Sequence, residues 1–317
     1  MNSPVSTAVE TLRTQPTRSP RAARLQRYAV GYAFVVPIVA FFLTFVLYPF
    51  IRSFYIALTQ WSGYGVPRFV GLMNFASMGD DPIFWKSLQT TLVFTVVSTV
   101  LQTILPLLLA ILLAAGWRGS VVFRTIFFMP QIVSLVVSGI VWQMMYDGNF
   151  GMINRTLTSV GLGGFAHNWL ADPHTVLPAI LLVSLWQSVG FFMLVYFAGL
   201  QGIDQTLYEA ARVDGANKLQ EIVHITWPML RPVTAVVITL NVLGGVKAFE
   251  LIFVMTRGGP NHASDVLGTY LYNLAFGSTA GSTPAVGYAT AVSVVVFVLG
   301  MGAVMLQFWM TRRARDV

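Results

Sequence analysis

Lys247 and Glu250 lie three residues apart in an otherwise apolar stretch. A charged side chain at the centre of a bilayer costs about 2.5–3.5 kcal/mol on insertion scales, so two such residues in one apolar run ask for a use. On a single helix they share a face and can pair. Counting about 1.5 Å per residue from Val233 puts Lys247 about 21 Å along, in the outer half of a membrane. Two uses stay open there: a pair that snorkels to the outer interface, or the polar lining of an aqueous path. Asn241 sits closer to the midplane, and at 100° per residue it points away from Lys247 and nearly opposite Glu250. It shares its face with Gly244, Gly245 and Ala248. That face suits close helix packing with one amide hydrogen bond, or a ligand site if the Gly-Gly pair unwinds. An unbroken helix cannot aim Asn241 and Glu250 at one ligand. The reading adopted is Asn241 as the lining residue and Lys247 with Glu250 as outer pairing.

Trp142, Gln143, Tyr146, Trp186, Gln187 and Tyr196 place aromatic rings beside amides within apolar runs. Sugars present apolar CH faces between hydroxyl rims, so this mixture is what a carbohydrate path would need. Taken singly, each of these rings is also an ordinary core or interface aromatic.

Other chemistries are missing. There is no Gly-x-x-x-x-Gly-Lys-Ser/Thr loop, so the chain holds no nucleotide site of that kind. His167, His174, His224 and His262 fall between the apolar runs, with no His-Glu-x-x-His, no Gly-x-Ser-x-Gly and no clustered acid pair. Zero cysteines remove thiolate catalysis and Cys-based metal sites. The residues do not describe an enzyme, and no cofactor or metal is expected in this chain.

The most polar island inside the apolar sequence is residues 207–228. Asp204 can cap a helix that starts at about Gln205 and runs through Glu209, Ala210 and Ala211 until Gly215 interrupts it. The small alanines would let another surface approach closely. A second helical piece is expected over residues 217–225, with Pro228 and Pro232 stopping it. The pattern reads as a docking element made of helix, glycine hinge, helix and stop.

The elements that carry these residues follow from composition. Of 317 residues 56% are hydrophobic and 10% charged, which no ordinary soluble domain matches, so this is an all-α integral membrane protein. Six runs are long enough to cross a core about 30 Å thick. They lie near residues 30–54, 87–115, 121–145, 176–200, 233–255 and 286–309. The tight turn at residues 116–120 would make the second and third spans antiparallel neighbours. Orientation comes from Lys and Arg: Arg13, Arg18, Arg21, Arg24 and Arg27, then Arg118 and Arg124, then Arg212, Lys218 and Arg231, then Arg312, Arg313 and Arg315 all fall on one side of six spans. That side is the cytoplasm, so both termini and the island are cytoplasmic. Residues 1–27 read as a disordered basic cytoplasmic tail, and residues 28–317 as the six-helix membrane domain. A net charge of +7 is explained by this topology, with no basic stripe for nucleic acid. Trp61, Tyr64, Trp85 and Trp169 in the external connections suit the membrane interface.

Glu209-Ala-Ala, three residues, Gly215, nine residues, then Ile225-x-Trp227-Pro228 resembles the cytoplasmic EAA loop of membrane subunits of binding-protein-dependent ABC importers. Trp227 stands where the family usually has Leu, and it keeps the hydrophobic role. The resemblance extends through Phe69-Val-Gly-Leu-Met-Asn-Phe75, Phe123-Arg-Thr-Ile-Phe-Phe-Met-Pro130, Trp169-Leu-Ala-Asp-Pro173 and Phe249-Glu-Leu-Ile-Phe-Val-Met-Thr-Arg-Gly-Gly-Pro260. These look like the permeases of carbohydrate and glycerol-3-phosphate importers, of the maltose-type F or glycerol-phosphate-type A subunit. The resemblance implies a type I importer permease fold in the cytoplasmic (inner) membrane. Residues 203–232 would be the coupling loop, with Glu209, Ala210, Ala211, Asp214, Gly215 and Ala216 against the ATPase. It also implies a second homologous permease subunit, two ATP-binding cassette subunits that bind ATP and Mg, and an extracytoplasmic solute-binding protein. Transport would then be by alternating access.

An ion-coupled secondary transporter is the alternative. Such carriers usually place carboxylates or His in the core, and Glu250 is the only acid within a span. The cargo is expected to be a sugar or a related small polyol. A phosphorylated cargo would call for a basic lining, and Lys247 is the only deep cation outside the cytosolic half.

Overall fold

A computed structural model describes residues 32–114, 116, 119–277 and 283–313, with side chains through residue 309. The basic tail and residues 117 and 118 of the turn at 116–120 lie outside the described residues. The chain divides at residues 53 and 54 into two compact units. The described part of the first is the helix α1, Tyr32–Ala57, as far as Ser53. Within it Leu43–Leu47 forms a π turn, with the Tyr48 N–H reaching the Leu43 carbonyl. Pro49 follows directly. A proline has no N–H to give and crowds the carbonyl four residues back, and one wide turn relieves both problems.

The second unit holds everything from Phe54 onward. A two-stranded hairpin comes first, β1 (Thr59–Gln60) with β2 (Arg68–Phe69), antiparallel, with Thr59 opposite Phe69. Then come α2 (Met73–Gly79), α3 (Pro82–Ala114), α4 (Ser120–Ile132), α5 (Leu135–Met145), α6 (Met152–Ser159) and α7 (Val176–Gln201). The short α8 (Gln205–Val213) leads to α9 (Lys218–Val246), α10 (Glu250–Thr256), α11 (Leu267–Phe276) and α12 (Val286–Arg313).

Among the described residues five helices are long and apolar enough to cross a membrane, and α4 with α5 makes a sixth crossing if the bent pair is one span. Two expected spans are not straight rods. The third is bent by 98° between Ile132 and Leu135. Val133 leaves the helix at φ −74°, ψ 135°, and the Gln187 side-chain amide donates to its freed carbonyl at 2.9 Å. The fifth span opens after Val246, so residues 250–255 belong to a separate helix. The expected stop at Pro228 and Pro232 is also absent. The chain stays helical from Lys218 to Val246 because a π turn at Ile222–Thr226 precedes Pro228, as one precedes Pro49.

The centre of this unit is α3, packed on α7 and α9, with α4 also on α7. The second and third spans are therefore joined mainly through α7 and touch each other little. Along its buried face α3 carries Ser87, Thr91, Thr95, Ser98, Gln102 and Thr103. A hydroxyl is tolerable there because it can return its proton to the preceding turn, as Thr91 does to the Ser87 carbonyl and Thr95 to the Thr91 carbonyl, both at 2.7 Å. Small residues then let helices meet backbone to backbone. A Cβ at Gly245 would stand 2.7 Å from Thr95 Cα, and one at Gly190 would overlap the Phe127 carbonyl. Toward the cytoplasm Leu107, Ala110, Met193, Tyr196, Leu230 and Val237 form the core, and toward the outside Val176, Ile180, Val183, Ile252 and Met255 do so. A third cluster, Ala57, Met78, Phe84, Leu267, Tyr270 and Val292, ties α11 and α12 to the outer end of α3.

Candidate functional site

The cytosolic loop is built by two caps and an ion pair. Asp204 opens α8 by accepting the Thr206 N–H at 3.0 Å, and bonds from the Thr206 amide and hydroxyl hold its carboxyl below the usual range. The helix ends at Asp214 with Gly215 at φ +83°. The Gly215 N–H bonds the Arg212 carbonyl at 3.1 Å and the Ala216 N–H bonds the Ala211 carbonyl at 2.9 Å. This pair of bonds is the Schellman termination, which needs a left-handed residue at its centre. Asn217 and Gln220 then start α9 with reciprocal side-chain to backbone bonds at 2.8 and 2.9 Å. Arg212 Nε reaches Glu221 Oε1 at 2.8 Å and Tyr208 Oη meets Thr226 Oγ1 at 2.9 Å, so the two helices are held at a fixed angle. Sequence reasoning did not find the Arg212–Glu221 pair, because nine residues across a turn is not a helical spacing. What remains on the surface is α8 itself, with no fully buried residue, a short helix held firmly at its base.

Deeper in the unit, a cavity of about 520 Å³ opens where α9 breaks. Lys247 caps α9 at φ −92°, ψ 7°, and Phe249 stands at φ −150°, ψ −63°, so residues 247–249 turn the chain before α10 begins. The break does what an unbroken helix cannot: Asn241, Lys247 and Glu250 all line this one space. It falls after the Gly-Gly pair, which stays helical. Gly245 is spent on packing against Thr95, whereas Gly244 faces open space. Gln187 lines the cavity too, beside Gln102, Gln131, Ser98, Ser184 and Ser188. Two buried groups there lack any protein partner: Asn241 Nδ2, on a residue 5% exposed, and Gln187 Oε1, on one 6% exposed. A buried amide left unpaired costs about 1–3 kcal/mol, a cost that water or a ligand in the cavity removes. Lys247 and Glu250 form no ion pair among the described residues, although their spacing allowed one.

The aromatic candidates lie elsewhere. Trp142 and Tyr146 line a separate apolar pocket of about 410 Å³ with Trp169 and Leu182, and Trp186 packs on Trp142 with ring centroids 5.5 Å apart. Gln143 donates to the Met255 carbonyl, and Tyr196 is buried in the cytoplasmic core. The residues missed were Gln102, Gln131, Ser184 and Ser188. Their signal was available, as polar groups four apart in apolar runs: Ser98 with Gln102, and Ser184 with Ser188.

A cavity with amide and hydroxyl groups thus lies at a broken helix, and a firmly held helix–turn–helix stands at the cytoplasmic side. A family described as "Binding-protein-dependent transport system inner membrane component" matches residues 102–316, more than half of the chain. The chain belongs to that family. It is a multi-pass permease of the inner membrane, the pore subunit of an ATP-driven importer, and the ion-driven alternative falls away. The permease is 34% identical over 287 residues to the probable ABC transporter permease protein YurN of Bacillus subtilis, covering 89% of this chain and 96% of that one. It is 34% identical to the lactose transport system permease protein LacF of Rhizobium radiobacter, covering 92% and 97%. To the trehalose/maltose transport system permease protein MalF of Thermococcus litoralis it is 32% identical, covering 90% and 95%. Among solved structures it superposes on a chain of a bacterial ABC transporter that imports alginate, with a TM-score of 0.80, 25% identity and coverage of 92% and 98%. The type I importer permease fold implied by the resemblance is the fold of this chain.

Proposed function

We propose that this permease carries a neutral sugar or a related small polyol, and that Asn241, Gln187, Lys247 and Glu250 line part of its path. The observation that carries this reading is the cavity at the α9 break, with two buried, unpaired amide groups among serines and glutamines. Its volume is within the range of about 300–1,000 Å³ usual for small-molecule sites. Amides and hydroxyls without a surplus of either charge suit a polyhydroxylated, uncharged solute. The sugars in the names of LacF and MalF point the same way.

A second homologous permease subunit completes the pore. Two ATPase subunits, which bind ATP and Mg, accept the helix carrying Glu209, Ala210, Ala211, Asp214, Gly215 and Ala216, and residues 203–232 act as the coupling loop. A solute-binding protein delivers cargo from outside. The test is to purify the tagged chain from its native cell in mild detergent and identify what accompanies it, then to measure uptake of labelled lactose, trehalose and maltose in the intact assembly. Recovery of a P-loop ATPase and a second permease, with uptake of at least one sugar, is expected. A chain that purifies alone, or an assembly that carries none of the three, contradicts the proposal.

A further inference from the structure

Four aromatic rings lie between the cavity and the outer face and belong to none of the hydrophobic clusters. Phe249 lines the cavity. Its ring stacks on Phe253, one helical turn along, with centroids 5.1 Å apart. Tyr272 touches both, at 5.3 Å from Phe249 and 4.6 Å from Phe253, and Phe276 continues from Tyr272 at 4.7 Å. The order follows from the helices. α11 starts deep, where the Leu267 N–H bonds Thr91 Oγ1 and Gly268 lies against Ala248 and Phe249. It then climbs: Tyr270 bonds Asp81, the residue that caps the outer end of α3, and the Leu274 carbonyl accepts the Ala285 N–H just before α12. Spacings of four residues on α10 and on α11 therefore set two pairs of rings in one ascending row.

Core packing does not account for this row. Phe249, Phe253 and Tyr272 are only partly buried, and Phe276 is 70% exposed. The Tyr272 hydroxyl has no partner among the described residues, and the Arg257 guanidinium stands 6.0 Å from the Phe253 ring centre. We propose that Phe276, Tyr272, Phe253 and Phe249 form an aromatic track on which the apolar faces of sugar rings slide from the outer surface to the cavity, with Tyr272 Oη and Arg257 bonding the hydroxyl rims. The track rests on the carbohydrate reading and adds an entry route to it.

The test uses the complete assembly in proteoliposomes, with its solute-binding protein outside, ATP inside, and labelled lactose, trehalose and maltose as probes. Phe276→Leu and Tyr272→Leu keep apolar bulk and remove the ring; Phe276→Tyr and Tyr272→Phe keep the ring. Each leucine variant is expected to raise KM about two- to tenfold, the scale of one aromatic contact, and to raise KM more than it lowers the maximal rate. Phe276→Tyr is expected to recover most of the loss, and Tyr272→Phe, which keeps the ring but drops the hydroxyl, to fall between the parent and Tyr272→Leu. Leucine variants with the parent's KM, or ring-keeping variants equally impaired, overturn the track while leaving the carbohydrate reading intact. An assembly that imports none of the sugars even without substitution overturns both.

Discussion

Gly215→Ala isolates the backbone of the proposed coupling loop from everything else. Gly215 sits at φ +83° in a Schellman turn, and a Cβ placed there meets nothing within 4 Å. No contact is lost or created, so the whole effect is conformational. A left-handed L-residue costs about 1–2 kcal/mol. The alternative to bearing that cost is to open the turn, which releases the Gly215 and Ala216 N–H bonds and frees the C-terminus of α8 from its fixed angle to α9. If the ATPase takes only the closed form, a shift of about 1.4 kcal/mol is a tenfold loss of affinity. Asparagine tolerates the left-handed region better than alanine, so Gly215→Asn should recover much of the loss, and Gly215→Val should fare worst. The assay is titration of the purified ATPase subunit onto the permease in detergent, with membrane yield as the control for insertion. Equal affinities for all three variants and the parent would refute the reasoning. So would alanine and asparagine variants that are equally weak, since that would implicate volume instead of φ.

Other expectations follow from single positions. Asn241→Leu should leave thermal stability within about 1 kcal/mol, because the Nδ2 group it removes has no protein partner, yet abolish sugar uptake; a matching loss of both would return Asn241 to a packing role. Gly190→Ala forces a methyl into the Phe127 carbonyl and should lower stability by about 1–3 kcal/mol, seen as a drop in Tm of the purified protein. Burial raises the Asp81 pKa, but bonds from Tyr270, Tyr288 and the Phe84 and Ile83 amides outweigh it and bring it below 3.8. Its contribution to stability is therefore complete above the ordinary value and is lost as pH falls through the lower folded one; Asp81→Asn should flatten that acid limb of a Tm against pH profile.

Much of this molecule can be read from residue order, for reasons that differ by element. The apolar runs give the spans because hydrocarbon thickness sets a length that few soluble helices reach. Asp204 and Gly215 are legible because a cap and a left-handed glycine act within four residues of where they stand. The bend between Ile132 and Leu135 is not, since hydropathy is the same for a straight run and a bent one, and its support is the Gln187 amide, 54 residues away. The π turn before Pro228 shows why that proline does not end the helix as expected: the neighbouring turn widens instead. Trp142, Tyr146 and Trp186 have the chemistry of sugar platforms, but which face of a span meets the cavity depends on the bend. The half-exposed rings of α10 and α11 lay in a segment where short helices were not anticipated.

The two interruptions, at residues 133–134 and 247–249, stand on different helices yet border one cavity, flanked by Gln131 and Leu135 on one and by Lys247 and Glu250 on the other. Mechanical compliance is therefore concentrated around the cavity. A continuous helix resists bending because every turn is bonded to the next, whereas a segment already missing those bonds rotates at little cost. Beyond the joints stand α5 and α10, 11 and 7 residues long, and α10 carries Ile252 and Met255 of the outer core, so a swivel would move that core with it. Displacement of the cytosolic loop through α9 would arrive at the 247–249 joint as a rotation of the residues beyond it, and the walls of the compartment would act as its own joints.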